Sequence, residues 1–298
     1  MLLAVLAAVV VGTTPPPSTP PTLQAGLEDY QALLDRYVRR VQPKGAPMDT
    51  RFDYEQLYID EQLWTKGRSA RLDRIHAGLL SARPSGMSEP ERIAWAANTY
   101  NFLVIERVTT NLLIPRFGFS RYERVDQMEL PDGRFFSGRL ALVEGVKYTL
   151  DEFERRFVRG DSTRVPAPPA LPRDLRLLFL TNPARIGHPP LMPRAFRADS
   201  LDRQMDAAVR ATMALPRFAS FDAGQRSLYV SDWLARSLGG STAELLDFVR
   251  KWAPRAVRER MTQLKITDVA RYLQADPRLN QREHPKVIVK PADKSGQS

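Results

Sequence analysis

The chain contains no cysteine in 298 residues. Disulfides, a thiol nucleophile and every thiolate-based metal site are therefore excluded. Histidine is nearly as scarce, with only His76, His188 and His284. No His-x-x-x-His pair opens a zinc site. Phosphate-cradling glycine loops are missing, since neither Gly-x-x-x-x-Gly-Lys nor Gly-x-Gly-x-x-Gly occurs. A Gly-x-Ser-x-Gly nucleophile elbow is missing too. No block of five or six like charges exists, and no internal repeat. The longest apolar run, Leu2–Val11, is too short for the roughly 20 residues that cross a bilayer, so no integral membrane span is expected. Nothing in the pattern implies a cofactor or a metal.

What the chain does have is 43% hydrophobic residues, enough at this length for one large domain with a sizeable core. It carries 44 Lys and Arg against 34 Asp and Glu, a net charge of +10. The arginines are dispersed with acids among them, which reads as a solvated basic surface. A site for nucleic acid or an anionic envelope polymer is the alternative. Leu2–Val11 has the length of a signal-peptide core, followed by the small residues Gly12-Thr13-Thr14, although a basic lead-in is missing. Residues 1–13 are read as a signal peptide of a periplasmic or secreted protein. Thr14–Pro21 holds five prolines and reads as a stiff spacer. The domain is placed at 22–275, and residues 276–298 are read as a polar, partly disordered tail.

The centre of the pattern is Ala94–Ile105. Ser88 with Glu91 three residues on forms a capping box, with Pro90 in the first turn. The run Ile93–Val108 has no Gly or Pro. It is apolar on both faces, which predicts a helix buried all round. Asn98 and Asn101 then point amides into an apolar interior. They either bond the backbone of a neighbouring segment or line a polar pocket, because a buried amide without partners costs about 1–3 kcal/mol.

Other elements follow from periodicity and caps. Leu23–Val41 and a stretch around Arg68–Ser81 read as amphipathic helices, as do Leu201–Met213, a segment through Leu245–Trp252, and Met261–Leu273. His76 sits beside the apolar face of the second and reads as a packed histidine. Pro115–Asp126 interleaves Arg with aromatics and reads as packing onto the core rather than as a base-stacking surface. Leu140–Val146, Leu175–Leu180 and Ser227–Ser231 read as strands. Thr149 with Glu152 repeats the capping-box pattern. Gly160–Pro172 is a second proline-rich loop.

Asn98-Thr99-Tyr100-Asn101 resembles the Asn-Ala-Tyr-Asn signature of the DUF547 family, a family of unknown function. Leu33-Leu34, Phe52-Asp53-Tyr54 with Leu57, Thr149-Leu150 with Glu154, Pro189-Pro190-Leu191, Ala195-Phe196, Leu201–Met205 and Ser231 to Trp233 are similar to further family stretches in the same order. The resemblance covers about residues 27–254. It implies an α+β, helix-rich single domain with a small sheet, distantly papain- or transglutaminase-like. It also implies a Cys and a His that this chain lacks. Arg155 stands where the family's helix has His, Arg176–Leu178 covers the other His position, and the Cys is absent near Thr181 and Asn182.

Cys–His chemistry is therefore lost. The expected role is a non-catalytic binding module, a pseudoenzyme whose old cleft takes a small polar or peptidic ligand. Asn98, Tyr100, Asn101, Glu154 and His188 are its expected binding residues. The alternative is a hydrolase using His188 as the candidate catalytic residue with a carboxylate, Asp151 or Glu154, and an unidentified nucleophile. Ser231 ends a strand but lacks the elbow around it.

Overall fold

Ser88 starts the helix on which the rest of the protein packs. Glu91 accepts its backbone N–H at 2.9 Å and its hydroxyl at 2.6 Å, and Pro90 occupies the first turn. In the computed structural model this helix, α4, runs Glu89–Thr110, and every residue from Ile93 to Glu106 is buried. The structure describes residues 21–42, 44, 46–61, 69–113, 121–130, 133–161, 172, 174–222, 224 and 226–282. The signal-peptide reading, residues 14–20 of the spacer, residues 114–120 of the Arg-aromatic stretch, nearly all of the second proline loop, His284 and the last sixteen residues lie outside that set.

Two apolar clusters are built against α4. One gathers Tyr30, Leu34 and Tyr37 of α1 (Leu23–Tyr37), Leu57 of α2 (Tyr54–Glu61), and Leu72, Ile75 and Leu79 of α3 (Ala70–Leu80) around Tyr100, Phe102 and Ile105. Helices α1 and α3 cross where Gly26 meets Gly78. A Cβ on Gly78 would lie 2.7 Å from the Gly26 Cα, so neither position tolerates a side chain without separating the helices. The other cluster takes Ile93, Ala94 and Ala97 of α4 with the C-terminal part of the domain.

The strands are short and local. β1 (Val38–Val41) pairs antiparallel with β2 (Asp49–Phe52), β3 (Glu129–Leu130) with β4 (Gly133–Arg134), and β5 (Arg139–Val143) with β6 (Val146–Thr149). Helix α5 (Leu150–Phe153) follows β6 directly, and α6 spans Leu201–Met213. β7 (Ala219–Phe221) and β8 (Leu228–Ser231) are antiparallel, and β8 runs into α7 (Asp232–Ser237). α8 (Thr242–Trp252) and α9 (Arg255–Gln263) precede β9 (Arg271–Leu273), which joins β8 in parallel. Helices with sheets of two or three strands make this an α+β fold. Among the described residues no helix is long and apolar enough to cross a membrane.

Five expectations need correction. Leu140–Val146 is not one strand: β5 ends at Val143, Glu144 and Gly145 turn with positive φ, and Val146 begins β6. The first helix stops at Tyr37, because Val38–Val41 leaves it to pair with β2. Leu175–Phe179 is a 3₁₀-helix rather than a strand, started by Asp174, whose carboxylate accepts the Arg176 N–H at 2.9 Å. Met261–Leu273 is not one helix: α9 ends at Gln263, Lys265 turns with φ +51°, and residues 271–273 become a strand. Residues 276–282 belong to the fold rather than to a loose tail. Asn280 donates to the Ala184 carbonyl at 3.1 Å and accepts the Phe52 N–H at 2.8 Å, while Gln281 accepts the Tyr54 N–H at 3.0 Å.

Candidate binding cleft

The cleft is assembled from one helix start and one loop. Thr149 caps α5: its hydroxyl accepts the Glu152 N–H at 3.1 Å, and Glu152 accepts the Thr149 N–H at 2.9 Å. This fixes Asp151 in the first turn. Residues 154–158 then wind as a π-helix, and the Arg159 N–H reaches the Glu154 carbonyl at 3.1 Å. That i to i+5 register stacks the two side chains, and the Arg159 guanidinium donates to Glu154 Oε1 at 3.1 Å. Thr181 donates its hydroxyl to the same oxygen at 2.7 Å.

The loop 181–191 is braced from three directions. Asn101 accepts the Asn182 N–H and donates to the Leu180 carbonyl, both at 2.9 Å. Asn182 in turn donates to the Pro189 carbonyl at 2.6 Å and accepts the Arg185 N–H at 3.1 Å. From outside, the Ile186 and Gly187 N–H groups bond the carbonyls of Arg278 and Asp276 at 2.9 and 2.8 Å. Gly187 is required there, since a Cβ would sit 2.4 Å from the Asp276 nitrogen. The result holds Ala184 at φ +59°, a left-handed conformation that a non-glycine residue adopts at a cost.

A cavity of about 170 Å³ lies between these parts. Tyr100, Asp151, Glu154, Arg159, Thr181, Arg185 and His188 supply its polar lining, with Phe136, Leu178, Pro183 and Trp233 around them. Asp151 and Phe136 also border a wider hollow of about 740 Å³, so Asp151 stands at the mouth.

Burial, reinforced by Arg185 and Arg236, pushes the His188 imidazole down to about 3, and the ring is neutral at physiological pH. Its Nδ1 is buried without a partner, and its ring lies 5.5 Å from that of Trp233. Burial, with Glu154 and Asp151 nearby, holds the Tyr100 hydroxyl far above its usual range. Loss of solvent inside the cleft, with Glu154 as a like charge, pushes Asp151 up to about 6. Burial opposes the Arg159 charge, and Glu154 outweighs it.

Of the residues singled out from sequence, Tyr100, Glu154 and His188 come together here, joined by Asp151 and Thr181. Asn98 and Asn101 do not line the cavity. Asn98 donates to the Phe196 carbonyl at 2.9 Å and accepts the Phe196 N–H at 2.8 Å, so both amides are spent on backbone. Arg176 grips Asp174, Asp202 and Asp206 elsewhere. Ser231 is buried at the end of β8 and is absent from the lining. His76 pairs with Glu106 at 2.8 Å. Sequence reasoning missed Arg159, Arg185, Phe136 and Trp233. Among the described residues no group of three or more His, Asp or Glu is placed to hold a metal ion.

Residues 84–211 match the family model described as "Protein of unknown function, DUF547". The match runs from the turn before α4 through the cleft loop into α6. No curated protein and no solved structure matches the chain, and the papain- or transglutaminase-like expectation is not confirmed by these comparisons.

Proposed function

The chain carries a DUF547 domain, a family without an assigned activity, and from that premise we propose that the cleft is a non-catalytic binding site for a small polar ligand. The observation that carries this reading is the chemistry of His188. Polar groups of both signs converge on the cavity around this imidazole, yet the ring is neutral and its Nδ1 bonds nothing.

A general base works best with a pKa near the operating pH, and an imidazole pushed down to about 3 is too weak a base to activate a hydroxyl. Among the described residues it accepts no proton from Thr181, whose hydroxyl goes to Glu154 instead. Among the described residues neither Asp151 nor Glu154 bonds His188, which supports the binding reading over the nucleophile–base–orienter chain of a hydrolase. Several of the arginines are also paired. Arg217 and Arg51 share Asp49, Arg39 and Arg282 share Asp53, and Arg176 is held by three aspartates. That argues for a pocket ligand over a polyanion.

The test is a screen of the purified chain against ester, amide and peptidoglycan-fragment substrates, with His188→Ala alongside. No turnover is expected. Turnover abolished by that substitution would replace the binding reading with the hydrolase one. We also propose export, supported by the Leu2–Val11 run and the prolines behind it. N-terminal sequencing of native protein should find a start between Gly12 and Leu23, and an intact Met1 on cytosolic protein would refute it.

A further inference from the structure

Two side chains of opposite charge border the cleft without a counter-ion among the described residues. Arg185 reaches it from the loop, its guanidinium 5.4 Å over the Phe136 ring and its Nε buried with nothing to bond. It makes no ion pair with any described residue. Asp151, exposed at the start of α5, borders the same cavity, and its carboxylate makes no hydrogen bond or ion pair with any described residue. Its neighbour Glu154 takes both Arg159 and Thr181. Arg185 is near enough to act on the charge of Asp151, yet the two do not close on each other. A cation and an anion that border one small cavity without pairing are complementary to a ligand carrying the reverse pair.

Size narrows the ligand. A cavity of about 170 Å³ is well below the roughly 300–1,000 Å³ of a pocket for a drug-sized ligand, and a ligand of amino-acid size suits it. Resting on the binding reading above, we propose that the cleft takes a zwitterion of amino-acid size, its carboxylate on Arg185 and its ammonium on Asp151. The neutral imidazole of His188 lines the cavity without adding charge to it, and the rings of Phe136 and Trp233 line it too.

Calorimetric titration of the full chain at pH 7.5 tests this. The probes are glycine, L-alanine, D-alanine and L-serine, then the amide and the N-acetyl form of the best binder. The free amino acid should bind at least tenfold more tightly than either blocked form. Arg185→Gln should bring it down to the level of the amide, and Asp151→Asn to that of the N-acetyl form, with unchanged thermal melts. Arg185→Lys should recover part of the loss. Equal affinity for the three forms, or no binding by any free amino acid, overturns the proposal. Acetate, methylammonium and glycerol, followed by the His188 imidazole resonances, separate the two failures. A shift with one of these and none with amino acids discards the zwitterion and keeps the binding site, whereas silence from every probe discards both.

Discussion

Asn98→Ala tests whether α4 is fastened to the segment that follows the cleft loop. The Asn98 amide brackets one residue, donating to the Phe196 carbonyl at 2.9 Å and accepting its N–H at 2.8 Å, and both residues are buried. Truncation strands two backbone groups, each costing about 1–3 kcal/mol when buried unpaired. A single water in the vacated space recovers part of that, since such a site is polar and about one water in volume. The net loss is then about 2–4 kcal/mol. Urea titration followed by circular dichroism reads it as a lower midpoint with an unchanged slope. Asn98→Asp sharpens the test. The new carboxyl still accepts the Phe196 N–H but sets a negative oxygen against the Phe196 carbonyl. Its folded-state pKa is therefore raised, and the destabilisation is full at pH 7 and eases towards pH 4, where the protonated form donates. A loss under about 0.5 kcal/mol for Asn98→Ala, or a pH-independent Asn98→Asp, would refute the reasoning.

The His188 ring, pushed down to about 3, should show no titration between pH 5 and 8 by NMR. Its unfolded value is near 6.5, so the unfolded chain takes the proton first. The stability tied to the neutral ring is whole above about pH 6.5 and is lost between there and about pH 3. The wild type should lose ground to His188→Gln over that window, and parallel curves would count against it. Gly78→Ala places a Cβ 2.7 Å from the Gly26 Cα and 2.9 Å from the Thr22 carbonyl oxygen. It should cost about 1–3 kcal/mol of overpacking strain despite alanine's better helix propensity, and a raised melting temperature would show that α1 and α3 part freely.

What the sequence made legible were features set by neighbours along the chain. The α4 start is written in Ser88 and Glu91, and the α5 start in Thr149 and Glu152, because a capping box closes within four residues. The unbroken run after Ile93 reads as a buried helix, and it is one. The errors arise where distant pairing overrides local spacing. Val38 and Val41 keep helical spacing, yet β2 draws them into a hairpin. Residues 271–273 continue a polar helical pattern until β8 claims them in parallel. The run through Leu175–Phe179 is too short for periodicity to separate strand from 3₁₀ turn. For the cleft, His188, Glu154 and Tyr100 stood out by residue type and motif. Arg159 did not, because α-helical spacing puts i+5 well round the helix from i. Only the π turn aligns it with Glu154. Arg185 carries no local signal, since it is one arginine among many, and Trp233 stood out only as part of the stretch similar to the family, which does not say that it reaches the cleft.

The bonds from residues 276–282 to the cleft loop have a consequence for how the protein is made. Synthesis is vectorial, and the helices that form the first apolar cluster emerge long before this segment does. Until Asp276, Arg278 and Asn280 have left the ribosome, the backbone groups of Gly187, Ile186 and Ala184 lack the partners they have in the finished fold, and Ala184 has little to keep it left-handed. The shape of the cavity is thus completed only after residues 276–280 have emerged. A translation product stopped short of Asp276 would carry every residue that lines the cavity and still lack the cavity's shape.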